Sequence, residues 1–375
     1  MSVYSAGHVD TIPEKAQYNK VQLQKLADYY NMLVINKRVQ AAGFLLSSNG
    51  QIFAHQATGK LTFEANSPDI KCDSIKKVAS ITKLFTATAI MKLVEDGVLW
   101  LEQPLKTILP EFDNQMYGNI NLWHLLTHTS GLPADPGYFF EPFPVDFMSY
   151  FSHKNWIEKI LTGPIQSSPG ENWNYCSLGF AILAEVVSRV SGQHFNDYVQ
   201  DHIFKPLKMT RSFMEIPDNL KSEICISNID DYKDIEIANS TKSSGRAPRG
   251  GGGAYSTMYD LFRFGQCFVN GGELDGNRIL GRKTVEVMTR NQLEGVYSYH
   301  WGKKCKNYRQ GLGWSFFSDG PTVSPETYNH EGWGWCSLFI DPTEKFIYIS
   351  FSADYTAWDP DVMVKPRTIA FSGIV

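Results

Sequence analysis

The chain lacks any C-x-x-C pair, any H-E-x-x-H, any long apolar run and any large excess of charge of one sign. Its six cysteines, Cys72, Cys176, Cys225, Cys267, Cys305 and Cys336, stand singly, which argues against structural zinc and a disulfide scaffold and for reduced, mostly buried thiols. Nine histidines without metalloprotease spacing do not favour a metal hydrolase. A formal charge of -4 over 375 residues gives no field that would recruit nucleic acid or anionic lipid. No apolar run reaches membrane-spanning length. Met1 to Gln17 also has no signal-peptide core, so a cytoplasmic location is expected unless a leader has been removed. What remains, 43% hydrophobic and 20% charged residues, is ordinary for a soluble globular enzyme of two domains or one elaborated domain.

Periodicity supplies the elements. Leu23, Leu26, Tyr30, Leu33 and Val34 predict a helix within Lys15 to Val39. Two strands, Ala42 to Ser48 and Gln51 to Ala57, flank the hairpin pair Asn49-Gly50. Helical segments dominate from Leu101 to Glu215: Asn121 to Thr127, Trp156 to Leu161, Leu178 to Ser191 and Asn196 to Ile203. Tyr259 to Phe268 is a further helix, and Trp335 to Ile340 and Phe346 to Phe351 form a second hairpin around Asp341-Pro-Thr-Glu344. One antiparallel sheet built from both ends of the chain is expected, over 1–100 and 245–375, with 101–244 inserted as a helical domain. A cleft at such a junction is a common ligand site.

Ser80-Ile-Thr-Lys83 opens an apolar helical run and sets a hydroxyl and an amine one turn apart on one face. A neutral serine is a poor nucleophile without an adjacent base, and an amine at i+3 can supply one. The backbone N–H at a helix start can also point at a developing oxyanion. Serine is a favoured helix cap as well, and Ser74-Ile-Lys-Lys77 matches the same template. Context selects Ser80, because Leu84, Ala87, Ile90, Met91 and Val94 follow it at helical spacing while Ser74 lies in a polar stretch.

Taken in order, these motifs resemble the serine beta-lactamase and penicillin-binding protein superfamily, in its class C beta-lactamase, D-peptidase and esterase branch. The likeness rests on Val78-Ala-Ser-Ile-Thr-Lys83 with Met91-Lys-Leu-Val-Glu-Asp-Gly97, Leu125-Leu-Thr-His-Thr-Ser-Gly-Leu132, Pro169-Gly170 before Tyr175-Cys-Ser177, Gly252-Gly-Ala-Tyr-Ser256 and His330-Glu-Gly332. It implies an α+β fold, an antiparallel sheet flanked by N- and C-terminal helices with an inserted all-helical domain. It also implies Ser80 as nucleophile, with Lys83 and Tyr175 moving protons. The backbone N–H groups of Ser80 and Trp333 would form the oxyanion hole, and Ser177, His330, Glu331 and Gly332 would line the substrate site.

Two positions depart from the family pattern. Ser177 stands where an asparagine is usual, and Glu331 where carboxylate-binding members carry a small hydroxyl residue. A second anion beside the substrate would repel a terminal carboxylate, so neutral esters, amides or thioesters are expected over penicillins and D-alanine peptides. The expected activity is that of a serine hydrolase, an esterase or amidase/peptidase working through an acyl-enzyme without cofactor or metal. An acyltransferase with the same nucleophile and a non-catalytic sensor are the alternatives. The partner is a small-molecule ester, amide or peptide; oligomeric state leaves no sequence signal. Gly250 to Gly253 lacks the G-K-[ST] of a phosphate loop and suits close backbone packing. His128 and Ser130 are site neighbours, and Tyr138, Phe139, Phe140, Phe143, Phe147, Tyr150 and Phe151 are an acyl-pocket candidate or ordinary packing.

Overall fold

The computed structural model describes residues 4–135, 154–163, 165–300, 303–306, 308–316, 323–354 and 358–375. Strand β1 is Ser5–Ala6. The first helix, α1, covers Lys20–Ile35 and is shorter than expected at both ends. Asn19 starts it by accepting hydrogen bonds from the Val21 and Gln22 amides, a capping role that periodicity does not register. Strands β2 (Ala41–Ser48) and β3 (Gln51–Gly59) meet at Asn49-Gly50, whose φ values of 51° and 79° are those such a turn requires.

From the far end of the chain come β4 (Tyr328–Gly332), β5 (Cys336–Asp341) and β6 (Phe346–Ser352). Trp335, expected in a strand, lies instead in the β4–β5 turn at φ 56°. The six strands form one antiparallel sheet in the order β1-β3-β2-β6-β5-β4, with Ile349 of β6 opposite Leu45 of β2 joining the two chain ends. Both faces are covered. Side chains alternate along a strand, so Ala41 and Leu45 enter one apolar cluster and Ala42, Phe44 and Leu46 another.

The first cluster takes in α2 (Thr82–Glu95), α3 (Ser177–Ser191) and α4 (Met258–Val269); the second holds α1 and α5 (Pro360–Phe371) against the opposite face. Helix α2 is buried without interruption from Thr82 to Met91, as suits a helix enclosed on all sides. The 101–244 segment is not all helical. Asn172–Trp173 pairs with Tyr297–His300, which pairs with Lys303–Lys306, in a three-stranded sheet. Two residues of strand beside the Pro169-Gly170 turn are too few to leave a periodic signal. All six cysteines are unpaired and five are buried, Cys305 being exposed. Among the described residues no helix is long and apolar enough to cross a membrane.

Candidate active site

Ser80 lies in a single 3-10 turn, Ala79–Ile81, that runs straight into α2. The turn is tied from three sides. The Val78 amide donates to the Ala254 carbonyl at 2.9 Å, the Thr82 hydroxyl donates to the Ala79 carbonyl at 2.6 Å, and the Ala254 amide donates to the Thr82 hydroxyl at 2.9 Å. These bonds hold Ala79 at φ +42°, a left-handed conformation that is unfavourable for alanine by about 1–2 kcal/mol.

One turn on, Lys83 Nζ donates to Ser80 Oγ at 3.0 Å, to Ser177 Oγ at 3.0 Å and to the Gly251 carbonyl at 2.7 Å. The side chain is fully buried. Burial pushes its ammonium down to about 8, against the charge of Asp135, which pulls it back up. The rival motif does not assemble. Ser74 Oγ accepts the Lys71 amide, while Lys77, on a short extended segment, pairs with Asp234 at 2.9 Å. The Gly250–Gly253 run explains how a carbonyl reaches Lys83. A Cβ on Gly250 would stand 2.5 Å from the Phe180 carbonyl oxygen, and one on Gly251 2.9 Å from that of Ser177. Only a chain without side chains fits against the start of α3 here.

Tyr175 is held by the loop that follows His128. The Asn174 amide donates to the His128 carbonyl, the Cys176 amide to His128 Nδ1 at 3.0 Å, and the Asp135 amide to the Tyr175 carbonyl at 2.8 Å. His128 itself sits at φ +58° with its ring 4.5 Å from that of Tyr175. Burial, followed by the nearby Lys83 charge, keeps this imidazole well below its ordinary range. A backbone N–H donates to Nδ1, so the neutral ring carries its proton on Nε2. Lys83 Nζ lies over the Tyr175 ring, 4.6 Å from its centroid. Ser130 Oγ accepts the Leu132 amide within the same loop.

Asp135 is the residue that sequence reasoning missed. Its Oδ1 accepts the Ser177 amide at 2.7 Å and its Oδ2 accepts the Ser177 hydroxyl at 2.6 Å. Ser177 is the first residue of α3, so the carboxylate also faces a helix N-terminus.

Strand β4 delivers His330 and Gly332 to the face shared with α2. His330 is buried, and its Nδ1 lies 2.8 Å from the Glu331 carbonyl, which can only accept. The ring proton is therefore on Nδ1 and Nε2 is an acceptor with no partner among the described residues. Burial and then the charge of Lys83 push this imidazole down to about 3, so it is neutral. A Cβ on Gly332 would come within 2.2 Å of the Val78 carbonyl. The glycine thus lets the strand close on the turn that carries Ser80.

Glu331 is not brought to this group. Alternation turns it to the opposite face, where its Oε1 accepts from Arg367 of α5 at 3.3 Å, and Arg367 in turn covers the Phe339 ring. The expected repulsion of a substrate carboxylate by Glu331 is therefore unsupported. Trp333 opens the β4–β5 turn with its ring half exposed and 5.3 Å from that of Trp335. The aromatic residues from Tyr138 to Phe151 lie outside the described residues. Among the described residues, no group of His, Cys, Asp and Glu could hold a metal ion.

A family model described as Beta-lactamase matches residues 24–364, nearly the whole chain. The chain belongs to the beta-lactamase family. Penicillin-binding protein 4* of Bacillus subtilis (strain 168) is 24% identical over 353 residues, covering 87% of this chain and 71% of that protein. A putative D-alanyl-D-alanine carboxypeptidase of Escherichia coli (strain K12) is 23% identical over 384 residues, covering 92% and 85%. The crystal structure of a family VIII carboxylesterase superposes with a TM-score of 0.73 at 17% identity, over 98% of this chain and 100% of that one. Beta-lactamase-family architecture thus joins enzymes named for peptide and for ester substrates, and the side chains around Ser80 must separate them.

Proposed function

We propose that this member of the beta-lactamase family is a serine hydrolase that cleaves neutral esters, thioesters or amides through an acyl-enzyme on Ser80. The observation that carries the reading is the 3.0 Å contact between Lys83 Nζ and Ser80 Oγ, made by an amine that burial leaves about one-tenth deprotonated at pH 7. Neutral Lys83 takes the Ser80 proton as Oγ attacks the acyl carbon. The Ser80 and Trp333 N–H groups receive the oxyanion, and Tyr175 gives its phenolic proton to the departing alcohol, thiol or amine and recovers one from the Lys83 ammonium. Water then repeats the sequence on the acyl-enzyme and regenerates Ser80.

The preference for neutral substrates rests on His330, not on Glu331. An imidazole held near 3 offers no positive charge to a terminal carboxylate at neutral pH. Its bare Nε2 is suited to accept a hydrogen bond from a neutral donor.

Labelling with a fluorophosphonate probe and a panel of esters, thioesters, amides and penicillins tests this. Native protein should label and cleave esters, and Ser80→Ala should do neither while Ser74→Ala does both. Strong penicillin turnover without ester cleavage would overturn the substrate class. Failure of native protein to label would favour a binding protein, and addition of an alcohol separates hydrolysis from acyl transfer.

A further inference from the structure

Counting protons around Lys83 exposes a difficulty that Asp135 resolves. A neutral amine has two protons and one lone pair, and catalysis needs the lone pair on the Ser80 side. Two of the three neighbours of Nζ must then accept. The Gly251 carbonyl can only accept, but Ser177 has a hydroxyl that could donate to the lone pair and quench the base. That proton is already committed, because Ser177 Oγ donates to Asp135 Oδ2 at 2.6 Å. The other oxygen of Asp135 accepts the Ser177 amide at 2.7 Å. Burial raises this carboxyl above its ordinary range, while the Lys83 charge and the two Ser177 hydrogen bonds favour the carboxylate.

We propose that Asp135 is a positioning residue: it holds the Ser177 hydroxyl as an acceptor and so keeps the lone pair of neutral Lys83 directed at the Ser80 hydroxyl. The inference rests on the acyl-enzyme reading above and names a group that this reading does not need. The order is Asp135, Ser177, Lys83, Ser80, each hydroxyl or amine passing its donor direction to the next. No net proton need travel along it. The ionisable groups that face Lys83 are Asp135 and His128 from one loop, Tyr175 and Cys176 before α3, and His330 from β4. Of these, Asp135 favours the ammonium most and Cys176 next, while the Lys83 charge helps hold both imidazoles neutral.

Asp135→Asn tests the inference. An amide placed there can accept only one of the two Ser177 protons, which frees the hydroxyl to turn toward Lys83. The expected result is a kcat lower by roughly 10²-fold with KM within about threefold. The acid limb of the pH profile should also move to lower pH, because a charge that favoured the ammonium is gone. In a Ser177→Ala background the same substitution should change kcat by less than about threefold, since no hydroxyl remains to misdirect. Unchanged turnover in Asp135→Asn, or fully additive losses in the double variant, would overturn the proposal. Should Asp135→Asn not fold, Ser177→Ala must lose at least about tenfold in kcat while Ser177→Thr stays within about threefold; equal rates for all three proteins would overturn it.

Failure of the hydrolase reading is separately visible, as native protein that neither labels nor turns over. The Lys83 midpoint, followed by NMR of ε-13C-lysine protein, then still decides. A lower midpoint in Asp135→Asn supports the arrangement and an unmoved one refutes it.

Discussion

Lys83→Met should abolish activity while leaving stability near native at pH 7, and the structure sets that balance. Burial holds the ammonium near 8 against an ordinary value of 10.5. At pH 7 the folded protein therefore carries a penalty of about 3 kcal/mol for keeping this group charged, which methionine removes. Ser80 Oγ, Ser177 Oγ and the Gly251 carbonyl each lose a donor, at about 1 kcal/mol apiece, so the two effects roughly cancel at pH 7. The pH dependence is the sharper test. A lysine whose folded value is depressed destabilises the fold fully below that value, and the penalty is relieved as pH rises between the folded and unfolded values. Native protein should thus gain about 2.5 kcal/mol on the Met variant between pH 7 and pH 10. Urea denaturation of both proteins at each pH measures the difference and cancels every other titration. A difference that does not shift toward the native protein as pH rises would refute the burial of a titrating amine, and with it the proposed base.

Glu331→Ala removes the carboxylate paired with the buried Arg367 and should lower stability by roughly 2–3 kcal/mol, or the melting temperature by about 3 °C, with the ester-to-penicillin ratio unchanged. A tenfold shift in that ratio at native stability would return Glu331 to the cleft. Gly251→Ala should cost about 1–3 kcal/mol by driving its Cβ into the Ser177 carbonyl, and displacement of the Lys83 acceptor should lower kcat by more than about tenfold. The kcat/KM profile should show an acid limb near 8 from Lys83; a limb between 6 and 7 that disappears in His330→Asn would contradict a neutral His330.

Where a sequence pattern is repeated by geometry, the structure follows it. The Asn49-Gly50 turn and the alternating strands around it are local choices that tertiary packing has no reason to override. The boundaries moved because caps decide them. Asn19 ends α1 where its stripe could have continued toward Lys15, and Trp335 leaves β5 for a turn at positive φ. The Asn172–Trp173 strand was illegible because its partner, Tyr297–His300, lies more than a hundred residues away and sets its conformation by pairing.

The site divides along the same line. Ser80 and Lys83 are joined by helix geometry, which spacing encodes, and Ser74 and Lys77 fail because their segment is extended. Glu331 was misjudged although strand alternation held the answer: if His330 and Gly332 face Ser80, the residue between them cannot. Asp135 left a fainter trace. An asparagine at position 177 would offer Lys83 an amide oxygen that accepts on its own, whereas a serine there can donate as readily as accept. A serine in that place needs a third group to take its proton, so the departure at Ser177 is itself the signal that a carboxylate should be sought nearby. The loop after His128, which already grips the Tyr175 backbone, is where that carboxylate stands.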